Sequence, residues 1–552
     1  MVEAIRVTFL GGLGEIGRNC LAIEQDGRLV VVDAGLMFPE PNMYGVDLIL
    51  PDFRWLIERR DRIDGIVLTH GHEDHTGALR YLVKEVNVPI YGSPLTVGFA
   101  RHRLTEAKVA KDLTFIEVAD GERRRIGPFE VEFIPVTHSV PSAHALAFHT
   151  KVGVVVHSGD FKLDSTPIDN RRTDLTRLAA LGDEGVALLL CDSTNAEEPG
   201  FTPSERTVGV ALRRLFLERP ERRMVVACFA SHVHRVQQIM DVAISQGRKI
   251  ALMGRSMEAN VKLARKLHLL SVDPAHLIEI EHIPRYGPGE VCVICTGSQG
   301  EPLAALSKLS RGDARNFAVG PDDTVILSSH PIPGNEWSVG RVIDDLHRAG
   351  TEVIHSGHEM VHASGHARQG ELRTYHQLLR PRNFVPVHGE YRHLVHHAEL
   401  AVSMGLNSKH VLICEDGDQV ELSEHGIRRA GQVPAGFHYI DGSAGDLDER
   451  PLEERRMLAE YGVVLIAAGV DRRSGELIDG VNVSARGWFE GDADRAVLAT
   501  LTDAVREALA ASLREGERNP EVLNKVVQRA AGRLLGQRYR RQPVILPAVV
   551  VA

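Results

Sequence analysis

The chain has 552 residues, 43% hydrophobic and 25% charged, the balance of a folded globular protein of roughly two to four domains rather than a disordered or fibrous one. No run approaches the roughly 18 uninterrupted apolar residues of a membrane span, and the N-terminus enters a strand pattern without an apolar signal core, so no membrane partner and a cytoplasmic location are expected. A net charge of −10 excludes a surface that grips nucleic acid everywhere, but not a local basic channel.

Strand patterns recur at residues 5–10, 29–32, 65–69, 131–135, 152–156 and 186–191, with a helical pattern at 76–86. Sheets covered on both faces, an α/β sandwich, are expected. A second alternating region follows, with strands at 224–228, 249–253, 290–295 and 324–328 and helices at 234–246 and 257–269, the pattern of parallel βαβ units. Strand patterns at 352–355 and 384–387 are expected to return to the first sheets. Residues 436–449 are rich in Gly, Asp and Ser; a strand at 462–467 and a helix at 492–513 then mark a small C-terminal α/β domain. Cys292 and Cys295, the one close pair among six cysteines, lie in an apolar run and read as buried strand packing rather than a redox or zinc site.

The chemistry concentrates in His70-Gly71-His72-Glu73-Asp74-His75, a loop after a buried-strand pattern. Alternating His70 and His72 can face one metal while Asp74 and His75 reach a neighbouring one, and imidazole with carboxylate suits zinc or manganese. A single histidine is usually a core or solvated residue; three with an aspartate inside six positions are not. His138, Asp160 and His388 each end an apolar run and are further ligand candidates. Asp33, closing Val-Val-Val-Asp, is expected to support the loop. Gly12-Leu-Gly-Glu-Ile-Gly17 fits GxGxxG but is followed by strand patterns, so it reads as a glycine turn near the site and not as a dinucleotide fingerprint.

With the distant ligands, the HxHxDH run resembles the metallo-β-lactamase superfamily. Cys191-Asp192-Ser-Thr-Asn195 and His362-Ala-Ser-Gly-His366 look like motifs of its β-CASP branch, whose members cleave nucleic acids. Gly11–Gly17, Phe229-Ala-Ser-His-Val-His-Arg235, Thr296-Gly-Ser-Gln-Gly-Glu301 and Pro386-Val-His-Gly-Glu390 are similar to the bacterial ribonuclease J family across nearly all of residues 5–445. The resemblance implies an αββα sandwich (1–205, resuming at 346–435), an inserted β-CASP domain (206–345), a linker (436–455) and a C-terminal domain (456–552). One departure stands in His138-Ser-Val-Pro-Ser142, where an acidic residue is expected at the last position; His144 is unusual too.

The resemblance also assigns roles. His70, His72, His138 and Asp160 would hold one metal; Asp74, His75, His388 and the bridging Asp160 the other, the pair activating a hydroxide for phosphodiester hydrolysis. Asp74, Asp192 and His366 would be catalytic, with His366 the proton donor oriented by Asp192, or else only a phosphate ligand. Ser231, His232, Val233, His362, Ala363, Ser364, Gly365 and His366 would bind substrate, the terminal 5′-phosphate of single-stranded RNA. Gly45, Asp47 and Asp441 match positions of a structural Ca2+, oxygen donors suited to a hard cation. A homodimer or tetramer and a place in an RNA-degradation complex are implied as well. Arg529, Arg533, Arg538, Arg540 and Arg541 read as a solvated face before an RNA contact. Expected overall is a 5′-to-3′ exo- and endoribonuclease acting in RNA decay and rRNA maturation. A lactamase- or thioesterase-like small-molecule hydrolase, or a silent RNA-binding scaffold, are the alternatives; the long insert argues against the first and the complete ligand set against the second.

Overall fold

The computed structural model describes residues 4–552 apart from 302, 315–316, 333, 443–444, 448, 489–491 and 539–542. They fall into two units, Met1–Phe38 with Leu48–His438, and Pro39–Asp47 with Tyr439–Ala552.

In the first unit the apolar runs form two stacked sheets. One has eight strands, with Ala4–Gly11 between Cys20–Gln25 and Asp418–Ser423 and a parallel portion of Arg28–Val32, Ile63–Val67, Ile90–Gly92 and Phe115–Glu117. The other has six, ordered Phe384–Val387, Val186–Asp192, Gly153–His157, His144–Thr150, Phe129–Pro135 and Arg123–Ile126. Val186–Asp192 is buried at every position, which is why its sequence is an unbroken apolar run and not an alternation. Phe9, Val30, Val67, Phe133, Phe148 and Leu188 fill the space between the sheets. Helices Leu175–Glu184 and Gln369–Leu379 cover the outer face of the second sheet through Leu178, Leu181, Leu372 and Tyr375. The result is the αββα sandwich.

Between Val186–Asp192 and Phe384–Val387 the chain builds an all-parallel six-stranded sheet, ordered Leu277–Ile278, Lys249–Met253, Val291–Cys295, Arg223–Ala227, Asp323–Leu327 and Glu352–His355. Parallel pairing demands crossover helices and two covered faces. Glu205–Leu217, Val233–Ser245 and Arg255–Lys266 cover one face; Ala305–Ser310 and Glu336–Arg348 cover the other. Cys292 and Cys295 lie in its centre, and all six cysteines are free and buried.

Two expectations are corrected. Glu352–His355 does not return to the first sheets; it pairs with Asp323–Leu327 as the edge of the inserted sheet, while Phe384–Val387 does return, beside Val186–Asp192. Helix Glu336–Arg348 packs on the inserted sheet through Val339, Val342 and Leu346, so the short connection after it delivers the next strand to that same sheet. The helix expected over 76–86 is two single turns, Glu73–Thr76 and Leu79–Leu82, broken at Gly77.

In the second unit Val463–Val470 lies between Leu477–Arg486 (antiparallel) and Val544–Val551 (parallel). Helices Asp492–Arg514 and Pro520–Arg538 pack on one face through Leu501, Val505, Leu509, Leu523 and Val527. The stretch 436–455, expected as a linker, carries the strands Phe437–Asp441 and Gly445–Leu447 and the start of helix Glu449–Tyr461. Arg529 and Arg533 are exposed; the side chain of Arg538, and Arg540 and Arg541, lie outside the described residues. Among the described residues no helix is long and apolar enough to cross a membrane.

Candidate metal centre

The histidine-rich loop leaves Ile63–Val67 under the control of Asp33, a non-glycine residue at φ +59°. Such backbone is strained and persists only where neighbours hold it. Here the Asp33 carboxylate accepts from Thr69 N and Thr69 Oγ1, both at 2.8 Å, and from His75 Nδ1 at 2.7 Å. The third bond fixes the His75 ring so that Nε2 faces the site. Asp33 is therefore the loop support expected of it. Asn19, which the motifs did not single out, donates from its backbone N (3.0 Å) and from Nδ2 (3.1 Å) to Asp74 O. Gly35 makes that approach possible, since a Cβ there would lie 1.6 Å from the same oxygen. The turn Gly12–Gly17 opens no helix; Leu13–Gly14 pairs with Gly389–Glu390, next to His388.

Seven side chains from four chain segments converge. His70 Nε2 and His138 Nε2 each lie 3.1 Å from His72 Nδ1, and 3.5 and 3.8 Å from Asp160 Oδ2. Asp160 Oδ2 is 3.2 Å from His75 Nε2, and Asp74 Oδ2 is 3.6 Å from His75 Nε2 and 3.4 Å from His388 Nε2. The donor atoms of each quartet, His70, His72, His138 and Asp160, and Asp74, His75, Asp160 and His388, lie within 4.8 Å of one another. His138 donates its other nitrogen to Gly365 O at 2.8 Å, and His388 donates Nδ1 to Asp160 Oδ1 at 2.8 Å. Asp160 Oδ2 and His388 Nε2 are buried with no hydrogen-bond partner among the described residues. Lone pairs gathered this way repel one another unless a cation lies among them, and imidazole with carboxylate is a donor set for zinc or manganese. The residues fit two divalent ions.

The electrostatics agree. Burial, together with the neighbouring histidines, holds His70 and His138 well below the ordinary 6.5, and burial brings His72 down to about 4, so all three rings present neutral lone pairs. Burial pushes Asp160 up, but His388, His75 and His70 outweigh it and keep the carboxyl well below its usual range. His75 and His388 move the other way: burial disfavours their charge, yet Asp160 and its fellow carboxylates raise both, His388 to about 10. Cation binding at such a site displaces protons.

His366 lies beside the ligands, its ring 5.1 Å from His138 and 5.5 Å from His388 between centroids, and its Nδ1 donates to Asp192 Oδ2 at 2.8 Å. Burial lowers its affinity for a proton, but Asp192 more than compensates and the net shift is upward. Asn195 Nδ2 donates to Ser364 Oγ (2.9 Å) and His366 O (3.1 Å), fixing that loop. Of the other expected substrate residues, Val233 and Ala363 are core residues of the insert, Gly365 serves His138, and Ser231 precedes the helix Val233–Ser245. His232 and His362 are joined by a pair that the motifs left without a role. Arg235 is fully buried, binds Glu205 bidentately (Nη2 to Oε2, 2.9 Å) and donates from Nη1 to Val361 O at 2.9 Å. Glu205 lies 3.5 Å from His232 Nε2. His232 Nδ1, His232 Nε2 and His362 Nδ1 are buried with no hydrogen-bond partner among the described residues.

Gly45, Asp47 and Asp441 come together in the second unit, but around a guanidinium. Arg455 donates to Asp441 Oδ2 (2.8 Å) and Tyr44 O (3.1 Å), and a Cβ on Gly45 would lie 2.4 Å from its Nη1. Asp47 Oδ2 accepts from Gly442 N at 2.7 Å. In this arrangement the Arg455 guanidinium is the cation among these oxygens.

An αββα sandwich with HxHxDH ligands at its strand ends and a parallel α/β insert defines a metal-dependent hydrolase of the metallo-β-lactamase class, β-CASP branch. Family comparison agrees: residues 13–220 match the metallo-beta-lactamase superfamily, 221–346 the ribonuclease J beta-CASP domain, 352–413 a Zn-dependent metallo-hydrolase RNA specificity domain and 451–552 the ribonuclease J C-terminal domain. The chain is 42% identical over 548 residues to ribonuclease J of Mycolicibacterium smegmatis, covering 99% of this chain and 97% of that one. It is 38% identical over 551 residues to ribonuclease J 1 of Streptococcus pyogenes (99% and 97% covered), and 37% identical over 547 residues to ribonuclease J of Helicobacter pylori (98% and 79%). A protein of unknown function from Enterococcus faecalis shares the fold alone, at a TM-score of 0.55 and 17% identity, over 76% of this chain and 100% of that one. The chain belongs to the ribonuclease J family.

Proposed function

We propose that the chain degrades single-stranded RNA, releasing nucleotides 5′ to 3′ from 5′-monophosphate ends and also cutting internally, in RNA decay and rRNA maturation in the cytoplasm. One observation carries this reading. The segment His362–His366 has an imidazole among the metal donors at one end and an unpartnered buried imidazole beside Arg235–Glu205 of the insert at the other. Its four Cα–Cα steps span at most about 14 Å. A phosphate held at the far end therefore lies a fixed, nucleotide-scale distance from the reacting bond.

Ions held by the seven ligands, zinc or manganese, supply Lewis acidity and offset charge on the scissile phosphate. Asp74, the more exposed ligand carboxylate, accepts a hydrogen bond from the attacking water. His366 gives its Nε2 proton to the departing 3′-oxygen, and Asp192 holds the ring in the required tautomer. Ser231, His232, His362 and Ser364 bind the 5′-phosphate, with the neutral histidines as donors. The chain works as a homodimer joined through its C-terminal sheet.

The test is a pair of RNAs, one with a 5′-monophosphate and one with a 5′-triphosphate, labelled at the 5′ end and incubated with zinc or manganese. Mononucleotide release favouring the monophosphate is expected. Equal release from both, or internal cuts alone, would contradict the 5′-end reading.

A further inference from the structure

His138 stands on a loop that departs from strand Phe129–Pro135 and returns in strand His144–Thr150, a turn across whose neck Val136 N donates to Ala143 O at 3.1 Å. Within it Ser142 takes φ +61°, a conformation that L side chains avoid. Such a loop needs an outside restraint to keep an imidazole in register with donors on other strands. Arg171 supplies one. Its Nη1 donates to Val136 O and its Nη2 to Ala143 O, both at 2.8 Å, so one guanidinium ties the two ends of the loop together. The same group is fixed by Asp120, with Nε to Oδ2 and Nη2 to Oδ1 both at 2.7 Å. Asp120 Oδ1 also accepts from Nε2 of His144, a side chain fully buried against Phe133.

We propose that Arg171, locked by Asp120 and His144, is a positioning residue for the ligand His138. The arrangement is more than a surface ion pair, which contributes little. Four acceptor contacts use the planar fork, two of them on backbone oxygens that Lys could not hold together with the carboxylate. Asp120 stays ionised throughout: burial raises it, but His144 and Arg171 hold it far below the ordinary carboxylate range. His144 is the unusual residue of the motif, and here it has a partner, 24 positions earlier in the chain. The proposal rests on His138 being a metal ligand.

Metal-stripped Arg171→Met protein is titrated with cobalt, read by the visible spectrum of the bound ion. One of the two ions should be held roughly 10- to 100-fold more weakly, the effect typical of losing a residue that orients a ligand. Arg171→Lys should recover part of the loss, and added guanidinium should restore affinity and spectrum to Arg171→Met. Asp120→Asn, which keeps the shape and removes the charge, should show the same weakening if Arg171→Met fails to fold. Two ions bound by both variants with wild-type affinity and spectrum would overturn the proposal. His138→Ala is the control: two tightly bound ions there would mean that the ligand assignment, not the positioning role, has failed.

Discussion

His366 Nδ1 faces Asp192 Oδ2 at 2.8 Å, which leaves Nε2 as the ring atom available to a substrate. Burial works against its protonation and Asp192 reverses that, so the acid form extends above the ordinary histidine value of 6.5. Activity that needs the acid then falls as pH rises through this raised value, and Asp192→Asn should move the alkaline limb down toward 6.5. His366→Ala should lower kcat on RNA by roughly 10²- to 10⁴-fold. It should spare a p-nitrophenyl phosphodiester, whose leaving group departs without a proton. Equal losses on the two substrates would make His366 a phosphate ligand and not an acid. At this scale the candidate ligands were largely legible: three histidines and an aspartate in one loop leave few other readings, and His138, Asp160 and His388 stood out where apolar runs stop. Arg235 with Glu205, and Arg171 with Asp120, were not. They are ordinary charged residues 30 and 51 positions apart, and only the fold makes partners of them.

The C-terminal sheet shows what an element's register determines. Val464, Ile466, Ala468 and Val470 are buried under the two helices, so their neighbours in the strand face the other way. Leu465 pairs with Leu546 and Gly469 with Val550 on that open face. There Leu465 is 45%, Leu546 48% and Val550 63% exposed, an apolar row suited to a second copy of itself. The proposed homodimer predicts that Leu465→Glu with Leu546→Glu shifts the protein from dimer to monomer in sedimentation velocity without loss of helix content by circular dichroism; a dimer unchanged by the substitutions would place the interface elsewhere. Periodicity identified four strands of the insert and the helices Val233–Ser245 and Arg255–Lys266 within a few residues, but not the helices Glu205–Leu217, Ala305–Ser310 and Glu336–Arg348 or the strand Leu277–Ile278. It could not assign Glu352–His355 to a sheet, because a four-residue run carries no information about its neighbour; packing of the preceding helix decides that. The break at Gly77 was likewise hidden, since the residues around it still follow a helical apolar spacing.

At the scale of the molecule, function depends on chain order. The last ligand, His388, follows a strand that rejoins the sandwich only after the insert is complete, so the metal site cannot assemble unless the insert has been threaded between the strands Val186–Asp192 and Phe384–Val387. His388 itself takes φ +53°, a conformation maintained by its bond to Asp160 and by the pairing of Gly389–Glu390 with Leu13–Gly14. In the proposed function, RNA is cleaved at these seven residues with the help of bound cations. The direct measurement is cleavage of labelled single-stranded RNA by metal-stripped protein, before and after zinc or manganese is returned, beside His72→Ala/Asp74→Ala treated in the same way. Cleavage should vanish on stripping, return with the metal in the native chain, and stay absent in the double variant. Wild-type rates from either the stripped protein or the double variant would contradict it.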